Sequence, residues 1–197
     1  MKKKLSNIVL TGFRATGKST VGKILAQRLG YTYLDIDIEI CRQFGSTVAE
    51  IVARYGWAHF RQAEAKLLGE LRSQSNMVIA TGGGAIEHYV QWQSMRQVSF
   101  VVWLDADVDT LKKRISSDPA SAHQRPNLSL GNSSAEDETD KILQRRTPLY
   151  FAGSDLRLDT VMHTPEELAA ALHETINRLK EKEEIGLDKA AIPSKLG

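Results

Sequence analysis

The sequence predicts an α/β fold in which a five-stranded parallel sheet is flanked by helices. Short apolar runs alternate with segments of helical periodicity, the pattern typical of strand–helix–strand units with parallel strands. A glycine-rich segment, Gly12-Phe13-Arg14-Ala15-Thr16-Gly17-Lys18-Ser19, lies between the first apolar run and the first helix. With 197 residues, of which 42% are hydrophobic and 25% charged, the chain can bury a substantial core. We therefore expect one domain over residues 1–180.

The composition argues against several classes of function. The net charge is +2 and no basic block is present, so nothing indicates a nucleic-acid partner. No run of about 18 apolar residues could span a membrane, and the apolar run after the lysines at positions 2–4 is too short for a signal peptide. The single cysteine, Cys41, cannot form an internal disulfide and is interpreted as a packing residue. We expect a cytoplasmic monomer that associates with neither nucleic acid nor membrane.

The glycine-rich segment fits the phosphate-loop pattern G-x-x-x-x-G-K-[ST]. It follows a short strand predicted at residues 8–10 and opens a helix predicted at residues 18–29, which is the context that the pattern requires. Its backbone N–H groups and the helix N-terminus would bind a polyphosphate. Lys18 would reach the β- and γ-phosphates, and the Ser19 hydroxyl would bind Mg²⁺. A turn that binds nothing is the alternative, and it rarely combines this strand with this helix.

Two aspartates close the second predicted strand, residues 31–37. Asp35 and Asp37 would leave an extended backbone on the same face, about 6.6 Å apart. Because open α/β sheets bind ligands at the carboxyl ends of their strands, the pair would lie beside the phosphate loop. One carboxylate could help to place Mg²⁺ while the other accepts hydrogen bonds from an acceptor substrate. The alternative is that one of them merely caps the helix that begins near Ile38.

Helices with breaks at Gly45 and Gly56 are predicted over residues 38–72, where they would bind the acceptor. On the longest of them Glu64 falls on the stripe that otherwise faces the core. A buried carboxylate needs a partner. Arg61, three residues earlier, is placed to supply one and to present its planar fork to an anionic substrate. The alternative is an ordinary surface ion pair.

Two further buried strands are predicted at residues 77–80 and 99–105. The first leads into the glycine triplet Gly82-Gly83-Gly84, whose exposed backbone N–H groups would let a ligand approach closely. A flexible turn is the alternative for the triplet. The second strand ends at Asp105, which could offer its carboxylate to the magnesium ion as a Walker B strand does.

A polar segment at about residues 116–138 is predicted to act as a lid. It follows a helix predicted at residues 108–115, has almost no apolar periodicity and carries Arg125 before Pro126. Without the phosphate loop upstream, Arg125 would be interpreted as a solvated charge.

The remaining elements follow the lid in order. They are a helix at about residues 138–146 ending in Arg145 and Arg146, a strand at residues 156–159, a helix from Pro165 to about residue 178, and a charged, flexible tail at residues 181–197. Thr164 and Glu167 form a capping box at the start of the last helix.

Strands that alternate with helices, a phosphate loop and a polar lid indicate the nucleoside-monophosphate-kinase class of P-loop folds. Six motifs in one order make the chain similar to shikimate kinases over about residues 6–178. They are the phosphate loop, Leu34-Asp35-Ile36-Asp37, Phe60-Arg61-x-x-Glu64, Gly82-Gly83-Gly84, Arg125-Pro126 and Arg146-Thr147-Pro148-Leu149-Tyr150. Only the phosphate loop is generic, and the combination is specific to the family.

The resemblance implies a kinase that uses ATP and Mg²⁺ to phosphorylate the 3-hydroxyl of shikimate in aromatic amino-acid biosynthesis. Arg61 and Arg146 would bind the ring carboxylate, because the guanidinium fork suits a planar anion. Spacing from the Pro148-Leu149-Tyr150 segment favours Arg146 over Arg145. Asp37 would orient the hydroxyl and act as general base, and backbone of the glycine triplet would contact the other ring hydroxyls.

The resemblance also implies the nucleotide and metal contacts. Lys18 and Arg125 would neutralise charge on the transferred phosphoryl group. Ser19 would bind Mg²⁺ directly, and Asp35 directly or through water. Arg114 and Pro165 match the positions on either side of adenine. The ATP contacts in and after the phosphate loop would be Gly12, Arg14, Ala15, Thr16, Gly17, Lys18, Ser19 and Thr20.

Two departures from the family pattern and two alternative functions accompany this interpretation. Asn127 follows Arg125-Pro126 where a leucine is more usual. The strand before the triplet ends in Thr81 and has no aspartate, so a Walker B carboxylate is absent there and the metal role moves towards Asp35.

One alternative function is another small-molecule kinase, for gluconate or a nucleoside monophosphate. A nucleotide acceptor would need a base pocket and further arginines. The other is a non-enzymatic ATP-binding switch, which would have little use for Asp37 or Arg61.

Overall fold

A five-stranded sheet runs through the computed structural model, which describes residues 6–118 and 135–184. The strands are β1 (Asn7–Thr11), β2 (Thr32–Asp35), β3 (Met77–Ala80), β4 (Ser99–Asp105) and β5 (Leu156–Asp159). The helices are α1 (Lys18–Leu29), α2 (Ile36–Phe44), α3 (Val48–Leu71), α4 (Tyr89–Val98), α5 (Val108–Ser116), α6 (Ala135–Gly153) and α7 (Pro165–Glu184), with a 3₁₀ turn at Ala85–Glu87. The predicted fold class is confirmed.

The strand order is β2-β3-β1-β4-β5, and every neighbouring pair is parallel. β1 lies at the centre, where Val9 faces Ile79 of β3 on one side and Val101 of β4 on the other. All carboxyl ends therefore meet at one edge of the sheet. Because the phosphate loop follows β1, Asp35 ends β2 and the glycine triplet follows β3, the fold collects the predicted motifs at that edge.

Each face of the sheet buries its own hydrophobic cluster. Successive side chains of a strand point to opposite faces, so Val9 packs with residues of α2, α3, α4 and α6 while Ile8 and Leu10 pack with residues of α1 and α7. Fully burying an aliphatic side chain of this kind contributes about 1.5–3 kcal/mol. The sheet is thus a rigid support for the loops at its carboxyl edge.

The junction of β2 and α2 differs from the prediction. The strand ends at Asp35 and the helix begins at Ile36, so Asp35 and Asp37 do not share a face of an extended strand. Oδ1 of Asp35 accepts hydrogen bonds from the backbone N–H groups of Asp37 at 3.1 Å and Ile38 at 3.4 Å. Asp35 therefore caps α2 through Oδ1, and Asp37 lies in the first turn of α2.

Helix α6 does not end at Arg146 as predicted but continues through Pro148 to Gly153. A proline inside a helix lacks a donor and crowds the preceding turn, so this continuation carries a local cost. The continued turns carry Tyr150, which is buried and stacks on Trp103 with ring centroids 5.8 Å apart. Tertiary packing outweighs the local cost of the proline.

The other helix boundaries show smaller differences. α3 spans two predicted helices, and the predicted break persists inside it at Gly56, whose φ of 82° and ψ of 163° are not helical. α4 was not predicted, and α7 extends past residue 178 into the predicted tail. Most of the predicted lid, with Arg125, lies outside the described residues. Among the helices of residues 6–118 and 135–184, none has both the length and the apolar character to cross a membrane.

Candidate active site

The phosphate loop curls around the N-terminus of α1 through residues in unusual backbone conformations. Gly12 and Gly17 have φ of 138° and 86°, and Ala15 has φ of 65°. A side chain at Gly12 would collide with the backbone carbonyl of Leu104, so the loop needs glycine there. Gly17 caps α1 without a side-chain hydrogen bond. The first N–H groups of the helix are therefore not capped by a side chain and can serve an anion.

Lys18 is buried inside this loop. Its Nζ donates to the carbonyl oxygens of Gly12 at 2.9 Å and Phe13 at 2.6 Å. Thr16 supports the same turn, since its hydroxyl donates to the Phe13 carbonyl at 2.8 Å. The ammonium group thus lies at the centre of the curl formed by the loop.

A cavity of about 240 Å³ extends from this loop along the carboxyl edge of the sheet. It is lined by Arg14, Ala15, Gly17, Lys18, Ser19, Thr20, Asp35, Asp37, Thr81, Gly82, Gly83, Arg114, Ile115 and Asp118. Polar atoms and backbone N–H groups dominate this set, as expected for a site that binds a polyphosphate. We call it the nucleotide cavity.

Ser19 and Asp35 form a donor pair in the nucleotide cavity. The Ser19 hydroxyl donates to Oδ2 of Asp35 at 2.7 Å, and the Tyr33 hydroxyl donates to the same oxygen at 3.2 Å. Burial and the nearby Asp35 raise the pKa of Tyr33, so this hydroxyl stays protonated. The described residues contain no group of three or more His, Cys, Asp or Glu side chains around a common point. A hydroxyl beside one carboxylate nevertheless fits Mg²⁺, which takes few protein oxygens and fills its shell with phosphate and water.

A second cavity adjoins the first and contains both predicted arginines. It is lined by Phe13, Arg14, Asp37, Val48, Trp57, Phe60, Arg61, Gly82, Gly83, Gly84 and Arg146. We call it the acceptor cavity. It shares Arg14, Asp37, Gly82 and Gly83 with the nucleotide cavity, so Asp37 lies at the junction of the two.

Arg61 is held by a buried carboxylate. Its Nη1 donates to Oε2 of Glu64 at 2.6 Å, and its guanidinium lies over the Trp57 ring at 5.2 Å from the centroid. Glu64 is 0% exposed and also contacts Nε2 of His88 at 2.8 Å. Burial favours the neutral acid, but the hydrogen bonds and charges of His88 and Arg61 outweigh it and lower the pKa of Glu64. The surface-pair alternative is therefore wrong.

Arg146 occupies the other side of the acceptor cavity. Its side chain is 4% exposed, whereas that of Arg145 is 63% exposed. Nε and Nη2 of Arg146 donate to Oε2 of Glu87 at 3.1 and 2.8 Å. The Tyr150 hydroxyl donates to the Gly83 carbonyl at 2.5 Å and ties α6 to the glycine triplet. Of the two adjacent arginines, the structure brings Arg146 into the cavity.

The side chains of Glu64, Asp37 and Arg61 lie close against the backbone of the glycine triplet. A Cβ placed on Gly82 would lie 2.5 Å from Oε1 of Glu64 and 2.6 Å from Oδ1 of Asp37. A Cβ on Gly84 would lie 2.5 Å from Nη2 of Arg61. Substitution is therefore blocked by neighbouring side chains, and the triplet is not simply a flexible turn.

We expect Gly82→Ala to destabilise the fold by about 1–3 kcal/mol, because the new methyl group overlaps two carboxylates. Gly69→Ala is the matched control, since a Cβ there meets nothing within 4 Å in α3. Alanine at that helical position should stabilise the chain by about 0.5–1 kcal/mol. Urea unfolding of both variants measures the difference, and equal midpoints would contradict the crowding seen at Gly82.

The chain matches known proteins over most of its length. A family model described as shikimate kinase matches residues 14–177. The chain belongs to the shikimate kinase family. It is 37% identical over 169 residues to a shikimate kinase of Syntrophus aciditrophicus, which covers 82% of this chain and 86% of the relative. It is 39% identical over 166 residues to shikimate kinase 2 of Yersinia enterocolitica, with 84% and 93% covered.

A solved structure of a family member has the same fold. Shikimate kinase from Acinetobacter baumannii, in complex with shikimate, superposes with a TM-score of 0.80 at 34% identity. The match covers 90% of this chain and 96% of that one. The fold of this shikimate kinase family member therefore agrees with that of a solved relative over most of both chains.

Of the two residues implied to contact adenine in this shikimate kinase family member, Arg114 lines the nucleotide cavity and Pro165 does not. Nη1 of Arg114 donates to the Thr160 hydroxyl at 3.0 Å and to the Ala15 carbonyl at 3.3 Å, and Arg114 lines the nucleotide cavity. Pro165 opens α7 and is not among the described residues that line that cavity. The structure therefore places Arg114 against the phosphate loop and leaves the role of Pro165 a prediction.

Asp105 is not among the described residues that line either cavity. Its Oδ2 accepts from Nη2 of Arg157 at 2.6 Å, on the neighbouring strand β5. Burial outweighs this partner and raises the pKa of Asp105. The geometry does not favour the Walker B alternative, and Asp35 is the carboxylate beside Ser19.

The sequence analysis assigns no individual role to several residues that complete the site. Trp57 and Phe13 line the acceptor cavity, and Tyr150, Glu87 and His88 support it from behind. The predicted burial of Glu64 is a sequence signal for a further partner residue, because a fully enclosed carboxylate needs more than one partner. That signal does not indicate where in the sequence the second partner lies.

Proposed function

We propose that this member of the shikimate kinase family transfers the γ-phosphoryl group of ATP to the 3-hydroxyl of shikimate, giving shikimate 3-phosphate and ADP. The observation that carries the proposal is the junction of the two cavities at Asp37. On one side lie the phosphate loop and Lys18, and on the other lie Arg61 and Arg146. The shikimate-bound relative, matched over 90% of this chain, supports the choice of acceptor.

Arg61 and Arg146 bind the ring carboxylate in this proposal. Each is a planar, permanently charged fork, and a carboxylate pairs with such forks through two parallel hydrogen bonds. Their placement on opposite elements, α3 and α6, suits one small anion between them. Backbone of Gly82, Gly83 and Gly84 lies beside the ring, where the absence of side chains leaves room for hydroxyl groups.

Asp37 orients the acceptor hydroxyl and takes its proton. As the hydroxyl oxygen forms a bond to the γ-phosphorus, its O–H bond breaks and the proton passes to the carboxylate. The bond from the γ-phosphorus to the bridging oxygen breaks at the same time, and ADP leaves. Lys18 exchanges its contacts with loop carbonyls for phosphate oxygens and stabilises the negative charge on the transferred group.

Ser19 and Asp35 would hold Mg²⁺, Ser19 directly and Asp35 directly or through water. When bound, the ion neutralises negative charge on the phosphates of ATP. The short contact between the Ser19 hydroxyl and the Asp35 carboxylate supports this pairing. Arg125, which lies outside the described residues, stays a prediction as a second cation for the transferred group.

The proposal includes a monomer that acts in the cytoplasm. A single cysteine, which cannot form an internal disulfide, suits a reducing compartment. Light scattering of the purified protein measures its mass in solution, and a dimer would contradict this part of the proposal.

An acceptor panel tests the proposed function. Purified protein with ATP and Mg²⁺ is offered shikimate, gluconate and nucleoside monophosphates, and ADP release is followed by a coupled assay. We expect rapid release with shikimate alone. Release with gluconate or a nucleotide would indicate a different kinase, and equal slow release with every acceptor would indicate an ATP-binding switch.

Replacing Arg61→Lys should raise the KM for shikimate about tenfold with a smaller change in kcat, because a point charge cannot make the bidentate contact. Arg42→Lys is the matched control. Arg42 also pairs with a glutamate three residues away on its helix, Glu39, but its side chain is 72% exposed. Initial rates over a range of shikimate concentrations measure both variants, and an unchanged KM for Arg61→Lys would contradict the assignment.

A further inference from the structure

Glu87 and His88 lie just after the glycine triplet and are linked to the two arginines of the acceptor cavity. Glu87 ends the 3₁₀ turn, and its Oε2 accepts two hydrogen bonds from Arg146. His88 follows at once, and its Nε2 lies 2.8 Å from the same Glu64 oxygen that Arg61 contacts. One short turn thus reaches α6 through one residue and α3 through the next.

We propose that Glu87 and His88 are positioning residues for the arginines that bind the acceptor, Glu87 acting directly on Arg146 and His88 acting on Arg61 through Glu64. The inference rests on the proposed function, in which Arg61 and Arg146 bind the substrate carboxylate. Neither Glu87 nor His88 lines the acceptor cavity. They act from behind the arginines that do.

The side chain of His88 fixes the position of the Glu64 carboxylate. His88 is the N-cap residue of α4, yet its side chain makes no capping hydrogen bond there. It reaches Glu64 in α3 instead. Since the lowered pKa of Glu64 keeps that carboxylate ionised and accepting, Nε2 carries the proton and donates it. Oε2 of Glu64 therefore accepts from both His88 and Arg61, and the oxygen that His88 holds gives Arg61 one preferred position.

Glu87 binds one edge of the Arg146 guanidinium. Its carboxylate accepts hydrogen bonds from Nε and Nη2. Nη1 lies towards Gly83, 3.6 Å from the position of a Cβ built on that glycine. Oε1 of Glu87 pairs with Arg145 at 2.8 Å, which keeps the carboxylate in place from the solvent side. Arg146 can thus present the Nη1 side of its guanidinium to a ligand without reordering its long side chain.

Holding these arginines before the substrate arrives reduces the entropy lost on binding. An arginine that is free to change rotamer must be immobilised by the ligand, which weakens the affinity. We expect His88→Leu and Glu87→Ala each to raise the shikimate KM roughly five- to tenfold, with kcat and the ATP KM changed by less than about twofold. His88→Gln, whose amide N–H can replace the Nε2 donor, should restore most of the affinity.

Glu87 could instead compete with the substrate carboxylate for Arg146. In that case removal of Glu87 would lower the shikimate KM, since a negative charge beside the binding site would be lost. The direction of the change therefore separates anchoring from competition, and a lower KM would overturn the proposal for Glu87.

The experiment measures shikimate and ATP kinetics for the wild-type chain, His88→Leu, His88→Gln and Glu87→Ala. Glu70→Ala is the control for Glu87→Ala, because Glu70 is an exposed glutamate of α3 that pairs with the exposed Lys66 and lines neither cavity. A second acceptor, the uncharged methyl ester of shikimate, should show no difference between wild type and variants. The variants are compared by urea unfolding to confirm that they are folded.

Each result has one meaning. A rise in the shikimate KM alone, absent with the ester and reversed in His88→Gln, supports the positioning role. An unchanged shikimate KM, or an equal rise in the ATP KM, overturns it while the proposed function stands on wild-type turnover. No turnover of shikimate by the wild-type chain would overturn the proposed function itself, and the positioning role with it.

Discussion

Replacing Asp37→Asn should lower turnover with shikimate by roughly 10²–10⁴-fold, the range typical for loss of a general base. Asparagine has nearly the same shape, so the junction of the two cavities keeps its form but loses the group that accepts the proton. ATP binding should be nearly unchanged, because the polyphosphate is held by the phosphate loop and the N-terminus of α1. Stopped-flow or steady-state assays measure turnover, and titration with a fluorescent ATP analogue measures nucleotide affinity.

Asp140→Asn is the control for Asp37→Asn. Asp140 pairs with Lys112 at the surface, and its side chain is 52% exposed. Its replacement should leave both turnover and nucleotide affinity unchanged. If Asp37→Asn weakened ATP binding as much as it slowed turnover, Asp37 would belong to the nucleotide site and could not be the residue that faces the acceptor.

Lys18→Met should lower turnover by at least about 10²–10³-fold, because it removes a cation from the position where charge develops in the transition state. The ammonium is buried against the carbonyls of Gly12 and Phe13, so its loss also removes two hydrogen bonds that hold the curl of the loop. We therefore expect weaker ATP binding as well. This double loss distinguishes Lys18 from Asp37.

Lys23→Met, five residues further along α1 and exposed, provides the matched control for Lys18→Met. It removes the same charge from the same helix at a distance from the phosphate loop. Both variants are measured for ADP release and for nucleotide affinity. Turnover of Lys18→Met within tenfold of the wild type would contradict the role of the lysine in phosphoryl transfer.

The parts of the site that could be predicted from the sequence are those specified by local patterns. The phosphate loop is defined by glycines in fixed spacing between a strand and a helix, and Gly12 and Gly17 adopt the positive φ values that this pattern requires. The alternation of apolar strands with helices likewise predicts a parallel sheet, whereas the order of its strands required the structure. Local signals of this kind need no knowledge of distant partners.

Two predicted helix boundaries are wrong for different reasons. The second strand is predicted to run to Asp37, but the side chain of Asp35 caps α2 and ends the strand. The helix predicted to end at Arg146 continues through Pro148, because Tyr150 is buried and stacks on Trp103. A local contact decides the first boundary and a tertiary contact decides the second.

The residues that could not be predicted act across long stretches of sequence. His88 and Glu64 are 24 residues apart, and Glu87 and Arg146 are 59 apart. No periodicity or spacing rule connects such pairs, and only the folded sheet edge brings them together. The arginines were indicated by their motifs, whereas the residues that orient them required the structure.

A crystal structure of the chain with shikimate and ADP tests the central claim most directly. We predict that the shikimate carboxylate lies within hydrogen-bond distance of both Arg61 and Arg146, with a ring hydroxyl at Asp37 directed towards the phosphate loop. An acceptor cavity that stays empty at saturating shikimate, or that holds a second nucleotide, would contradict the proposed function.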